Sequence, residues 1–140
     1  MRIEILHLKH EALEASPMMM LSPTRDEAVA LLRASMYERV AVVDTMAYAS
    51  QGWAEDEMPA LRTPEDDNAF VAELYGGHLD VAWEASQNVA GPWVMSDVVE
   101  EQKYGTARSS MVGDLFVAGD MPFLVKGSGF ECLVPGRDPV

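Results

Sequence analysis

Apolar positions along the chain change period several times, and each change marks an element. "RIEILHL" is rich in Ile and Leu and partly alternating, which predicts a strand over residues 2–8. "KHEALEASPMMMLSP" follows; its two Ser-Pro pairs disfavour helix at the serine, so the stretch reads as a connector with about one helical turn. Thr24 and Glu27 have capping-box spacing, and Asp26 and Glu27 suit the positive end of a helix. Ala28, Val29, Leu31, Leu32 and Met36 form the apolar stripe of that helix. "YERVAVVD", residues 37–44, carries a continuous apolar run and predicts an interior strand.

The middle of the chain reads as helical. A short helix is expected through "TMAYASQGW", then an irregular acidic segment over 54–67, broken by Pro59 and Pro64. "PEDDNAFVAELYGG" predicts a helix stopped by Gly76-Gly77, and "HLDVAWEASQN" a second one, with Leu79, Ala82, Trp83 and Ser86 on one face. Gly91-Pro92 ends that segment, and in the last third of the chain the pattern changes to apolar runs. "LFVAG" and "PFLVKG" flank a short turn at Gly119-Asp120, as in a hairpin, and "GFECLV" supplies one more strand before a polar tail over 135–140. The expected fold class is α+β: a small mixed or antiparallel sheet with a C-terminal β-meander and three to four helices packed on it, in one domain spanning 1–140.

Composition sharpens this in one respect. Ten Lys and Arg face 23 Asp and Glu, a net charge of −13. Phosphate binding needs a basic surface, so direct nucleic-acid binding is not expected. Between Glu55 and Glu73 lie Glu55, Asp56, Glu57, Glu65, Asp66, Asp67 and Glu73 against Arg62 alone, nearly half of the net charge. Such a run reads either as a solvated acidic face or as a surface for a basic partner. Charges scattered through the first ten residues argue against a signal peptide, and no apolar run has spanning length, so a cytoplasmic protein without membrane contact is expected.

Candidate chemistry is sparse. His7 and His10 would share a face only on a helix; with His7 in a strand they read as ordinary surface or edge histidines, and no metal or cofactor is expected. Cys132, the only cysteine, lacks a local cation or helix start to activate it and reads as buried. Met18, Met19 and Met20 either cover one end of the core or form an adaptable apolar patch. Trp93 follows Pro92 at a segment end and reads as a lid on the core.

The densest polar constellation is "ARSSMVGD", residues 107–114. Ser109 and Ser110 can bond local backbone at a strand entry, Gly113 permits a bulge or a close backbone approach, and Asp114 can accept backbone N–H groups or pair with Arg108. A Ser-Ser pair is not a triad unless His7, His10 or His78 arrives through the fold. Asp80, Ala82 and Trp83, then Ser86 and Asn88, then Pro92 and Trp93, then Arg108, Ser109, Val112, Gly113 and Asp114, with Phe123, Val125, Gly129 and Phe130 behind, resemble a pattern of small uncharacterised proteins encoded by phages, plasmids and genomic islands. The resemblance implies a mobile-element context and a compact α+β module, and implies no reaction.

Three expectations follow. The first is a non-enzymatic acidic protein that occludes a basic host protein, such as a defence nuclease or other nucleic-acid-binding protein, through the acidic 55–73 segment. The second is an accessory domain that binds a small ligand or peptide near Trp93, Arg108, Ser109, Ser110 and Asp114. A hydrolase using acidic residues or Ser110 ranks third.

Overall fold

The computed structural model describes residues 1–45, 68–88, 93–95, 99–102, 107–127 and 129–133. It is an α+β fold built on a six-stranded antiparallel sheet. The strands are β1 (Arg2–Leu8), β2 (Tyr37–Asp44), β3 (Val99–Gln102), β4 (Leu115–Ala118), β5 (Met121–Lys126) and β6 (Gly129–Cys132), in the order β3-β2-β1-β4-β5-β6. The first strand of the chain is therefore central. It pairs with β2 on one side, Ile3 opposite Val43, and with β4 on the other, Ile3 opposite Ala118. The C-terminal meander β4-β5-β6 forms one half of the sheet, with Phe116 opposite Phe123 and Phe123 opposite Cys132.

Alternation along these strands feeds two cores. On one face Ile3, Ile5, Val43, Phe116, Phe123 and Val125 pack under α3 (Asn68–Ala85), with Leu79, Ala82, Ala85 and Trp93. On the other face Leu8, Tyr37, Leu115, Leu124 and Leu133 pack under α1 (His10–Ala15), a 3-10 turn (Pro17–Met20) and α2 (Arg25–Arg33). Thr24 caps α2 as its spacing predicts, its hydroxyl accepting from the Glu27 N–H at 3.2 Å. Just past the helix the chain turns at Ser35, φ 59, with Ser35 N bonded to Leu32 O and Met36 N to Leu31 O, which satisfies those two carbonyls of its last turn.

Two expectations need correction, and one strand was not foreseen. Gly76-Gly77 does not divide two helices: α3 runs through both as one helix of 18 residues. Each glycine costs a helix only about 1 kcal/mol, whereas each fully buried Leu or Val side chain returns about 1.5–3 kcal/mol, and Leu79 and Val81 are wholly buried. The strand not foreseen is β3, an edge strand whose "VEEQ" shows no apolar run; polar edges lack the signature of interior strands. The second correction is His7, which is buried in the central strand rather than lying at a surface or an edge. The connector after β1 holds a slightly longer helix than one turn, and it stops at Ala15, ahead of Ser16-Pro17. The helix expected over 45–53 and the irregular acidic segment over 54–67 lie, apart from Thr45, outside the described residues. No described helix is long and apolar enough to cross a membrane.

Candidate functional site: a buried polar hub around Asp114

Asp114 sits at the entry to β4 and is completely buried. A carboxylate there must be paired and hydrogen-bonded. Arg108 closes on it with both terminal nitrogens, Nη1 to Oδ2 and Nη2 to Oδ1, each at 2.7 Å. The Leu8 N–H donates to Oδ1 at 2.9 Å and the Met111 N–H to Oδ2 at 2.8 Å. Four donors fill the four lone-pair positions of the carboxylate. Both uses foreseen for Asp114, backbone acceptor and partner of Arg108, occur together. Arg108 also reaches the Ser109 carbonyl at 3.0 Å and remains about one-third exposed.

Beside this pair lies His7. Its Nε2 is 3.1 Å from Ser110 Oγ and 3.8 Å from Asp114 Oδ2, and its ring tilts against Trp93 with centroids 6.0 Å apart. Burial pulls the imidazole down to about 4; the negative Asp114 and Glu38 oppose that shift, and Arg108 reinforces it. His7 is thus neutral at pH 7, and its approach to Asp114 is not an ion pair. A histidine does reach Ser110, but the geometry is not that of a nucleophilic relay. Such a relay needs the carboxylate on the ring nitrogen away from the hydroxyl, whereas Ser110 and Asp114 both face Nε2. Ser110 is also buried and Asp114 has no lone pair to spare.

The remaining motif groups join two distant segments. The Asn88 N–H donates to Ser109 Oγ at 2.8 Å, Asn88 Nδ2 to the Ala107 carbonyl at 2.8 Å, and the Trp93 N–H to Asn88 Oδ1 at 2.9 Å. Trp93 is buried, and its indole N–H donates to the Arg108 carbonyl at 2.8 Å. The Ser110 N–H bonds the Ser86 carbonyl at 2.9 Å, and Gln87 Nε2 bonds the Ser110 carbonyl at 3.2 Å. Ser109 therefore makes a long-range contact rather than the local one expected. Gly113 is at φ +98, and a Cβ there would lie 2.5 Å from the Met19 carbonyl oxygen; the close approach foreseen for it is to the 3-10 turn. Tyr37 seals that side, its hydroxyl donating to the Gly113 carbonyl at 2.6 Å.

Trp93, Arg108, Ser109, Ser110 and Asp114 thus come together, with their polar groups spent on one another and on the scaffold. Sequence reasoning missed His7, Tyr37 and Gln87 as members. Only His7 left a trace, as a polar residue in phase with inward-facing Ile3 and Ile5. Glu55, Asp56, Glu57, Glu65, Asp66 and Asp67 lie outside the described residues, as does the side chain of Glu73, whose position is in α3. Asp80 and Glu84, four residues apart on the same helix, are exposed. Cys132 is buried in β6, while Met18 and Met20 are about half exposed around a buried Met19. Among the described residues no three His, Cys, Asp or Glu side chains converge as a metal site would require. No protein-family model, curated protein or solved structure matches the chain.

Proposed function

We propose that this chain is a non-enzymatic acidic binding protein of a mobile element, which occludes a basic host protein such as a defence nuclease or another nucleic-acid-binding protein. The observation that carries the reading is the distribution of charge. From Asp44 to Glu84 the sequence holds ten acidic residues against Arg62 alone, so this stretch contributes −9 of the net −13. A field of one sign on one part of a molecule steers an oppositely charged partner and accelerates encounter. Asp80 and Glu84, exposed on α3, continue the acidic run of the sequence onto that helix. The polar hub supports the non-enzymatic half of the reading, since its serine is buried and its carboxylate saturated.

The test is retention of host proteins on the immobilised full chain, identified by mass spectrometry. A retained basic nucleic-acid-binding protein should elute between about 0.05 and about 0.5 M salt, where screening lengths fall below the spacing of surface charges. Reversing Glu65, Asp66 and Asp67 together to lysine should abolish retention. A partner that stays bound at high salt, or is retained equally by the reversed variant, removes the acidic surface as the binding element.

A further inference from the structure

We infer that the hollow between α3 and the β5–β6 hairpin is an anchor pocket for one arginine side chain of the basic partner, an inference that rests on the acidic-binder reading above. The hollow has a volume of about 230 Å³, and its lining includes Asp80 and Trp83 from α3, Val112 from the turn before β4, Lys126 from β5 and Phe130 from β6. Sites for whole small molecules run to about 300–1,000 Å³; this one has the size for a single long side chain.

Its chemistry selects the occupant. Among the described residues Asp80 has no hydrogen-bond or ion-pair partner; it is exposed to an incoming group, and the desolvation it does feel raises its pKa. Lys126 does not answer it, since its ammonium lies 3.5 Å from Glu131. With that pair neutral, the mouth keeps the negative charge of Asp80, and Glu84 stands one turn further along α3. An anion would meet the Asp80 carboxylate in the lining, with Glu84 one turn away. A cation would meet one unpaired carboxylate and the aromatic surfaces of Trp83 and Phe130. Guanidinium suits this combination better than ammonium: it is planar, weakly hydrated, stacks on aromatic rings and bonds a carboxylate with two N–H groups.

The pocket wall is also held in place before binding. Met111 N donates to Asp114 Oδ2, Gly113 N to the Val125 carbonyl, and Val125 N to the Asp114 carbonyl at 2.9 Å. The hub thereby fixes the turn that carries Val112. A preformed pocket spares the ordering cost of binding, which is how interfaces concentrate affinity on a few buried anchors.

The test is a ¹H–¹⁵N NMR titration of the full chain with Nα-acetyl-arginine amide, run beside the citrulline and lysine analogues. Saturable shifts are expected at the Trp83 indole N–H and at backbone amides of α3 and the β5–β6 hairpin. Citrulline, the same shape without the charge, should bind at least about tenfold more weakly, the factor expected for loss of one charge-assisted hydrogen bond. Asp80→Asn should lower arginine affinity by a similar factor and leave amide shifts remote from the hollow unchanged. Absence of saturable shifts at these positions, or equal binding of citrulline or lysine, overturns the anchor. Partner retention separates this inference from its premise. If charge reversal at 65–67 abolishes retention while Asp80→Asn leaves it intact, the anchor fails and the acidic surface stands. If arginine binds the hollow but retention ignores both salt and charge reversal, the acidic surface fails and the arginine pocket stands.

Discussion

Asp114 shows how a charge can be buried without being reactive. It is wholly inaccessible, yet each oxygen receives two donors, and its counter-ion Arg108 keeps about a third of its side chain in solvent. Keeping part of the Arg108 side chain in solvent lowers the desolvation penalty that makes buried pairs costly. His7 takes the other solution and stays neutral. That choice has a pH signature. Its pKa is about 4 in the folded chain, against 6.5 for the free side chain. Between those values the unfolded chain binds a proton that the native chain does not, so stability falls as pH drops through that window and is complete above it. At 1.36 kcal/mol per unit the full effect is about 3 kcal/mol. His7→Gln keeps a polar group for Ser110 and removes the titration. Denaturant melts at pH 7 and pH 4 should therefore show the wild type losing about 3 kcal/mol more than the variant over this interval. Equal losses would mean that His7 is protonated in the fold without penalty.

At the scale of elements, the central relation is between β1 and the turn that enters β4, which meet across more than a hundred residues of sequence. His7 and Leu8 from β1 and the Met19 carbonyl from the 3-10 turn close on Arg108–Asp114. Gly113 is where the approach is tightest. Its φ of +98 disfavours any side chain, and a methyl there would stand 2.5 Å from Met19 O and 3.0 Å from Leu8 Cδ1. Gly113→Ala should cost at least about 2 kcal/mol, from backbone strain and overpacking together, read as a lower denaturation midpoint at unchanged slope. A variant as stable as the wild type would mean that the turn can move off the sheet. The elements themselves were largely legible. β1, β2, α2 and the meander follow from apolar runs, a cap and Gly-containing turns, because local patterns govern each of them. β3 was not, since an edge strand of "VEEQ" needs only β2 as a template. Nor was the continuity of α3, where burial overrides two glycines. The motif's internal pairing of Arg108 with Asp114 could be read from its residues, but Tyr37 and Gln87 could not. Their contacts span 76 and 23 residues and leave no periodicity to find.

On the scale of the whole molecule, salt should pull folding and binding in opposite directions. A net charge of −13 on 140 residues means that like charges repel throughout the folded chain, and the stretch from Asp44 to Glu84 is the most crowded. The described ion pairs that oppose this repulsion, such as Arg39 with Glu4 and Lys126 with Glu131, are partly exposed, the class worth about 0–1 kcal/mol each. Arg108–Asp114 is buried on its acidic side and little screened. Added salt therefore removes more repulsion than attraction, and the melting temperature should rise from about 0.01 to about 0.3 M sodium chloride, where the Debye length shrinks from about 30 Å to below 8 Å. Over the same range an electrostatically held partner should dissociate. Scanning calorimetry and a binding isotherm on the same samples give both slopes. Opposite signs are expected if the acidic surplus exists for an interface and is borne by the fold as a cost. A melting temperature that falls with salt would mean instead that the acidic residues are already matched within the fold, leaving no surplus to present to a partner.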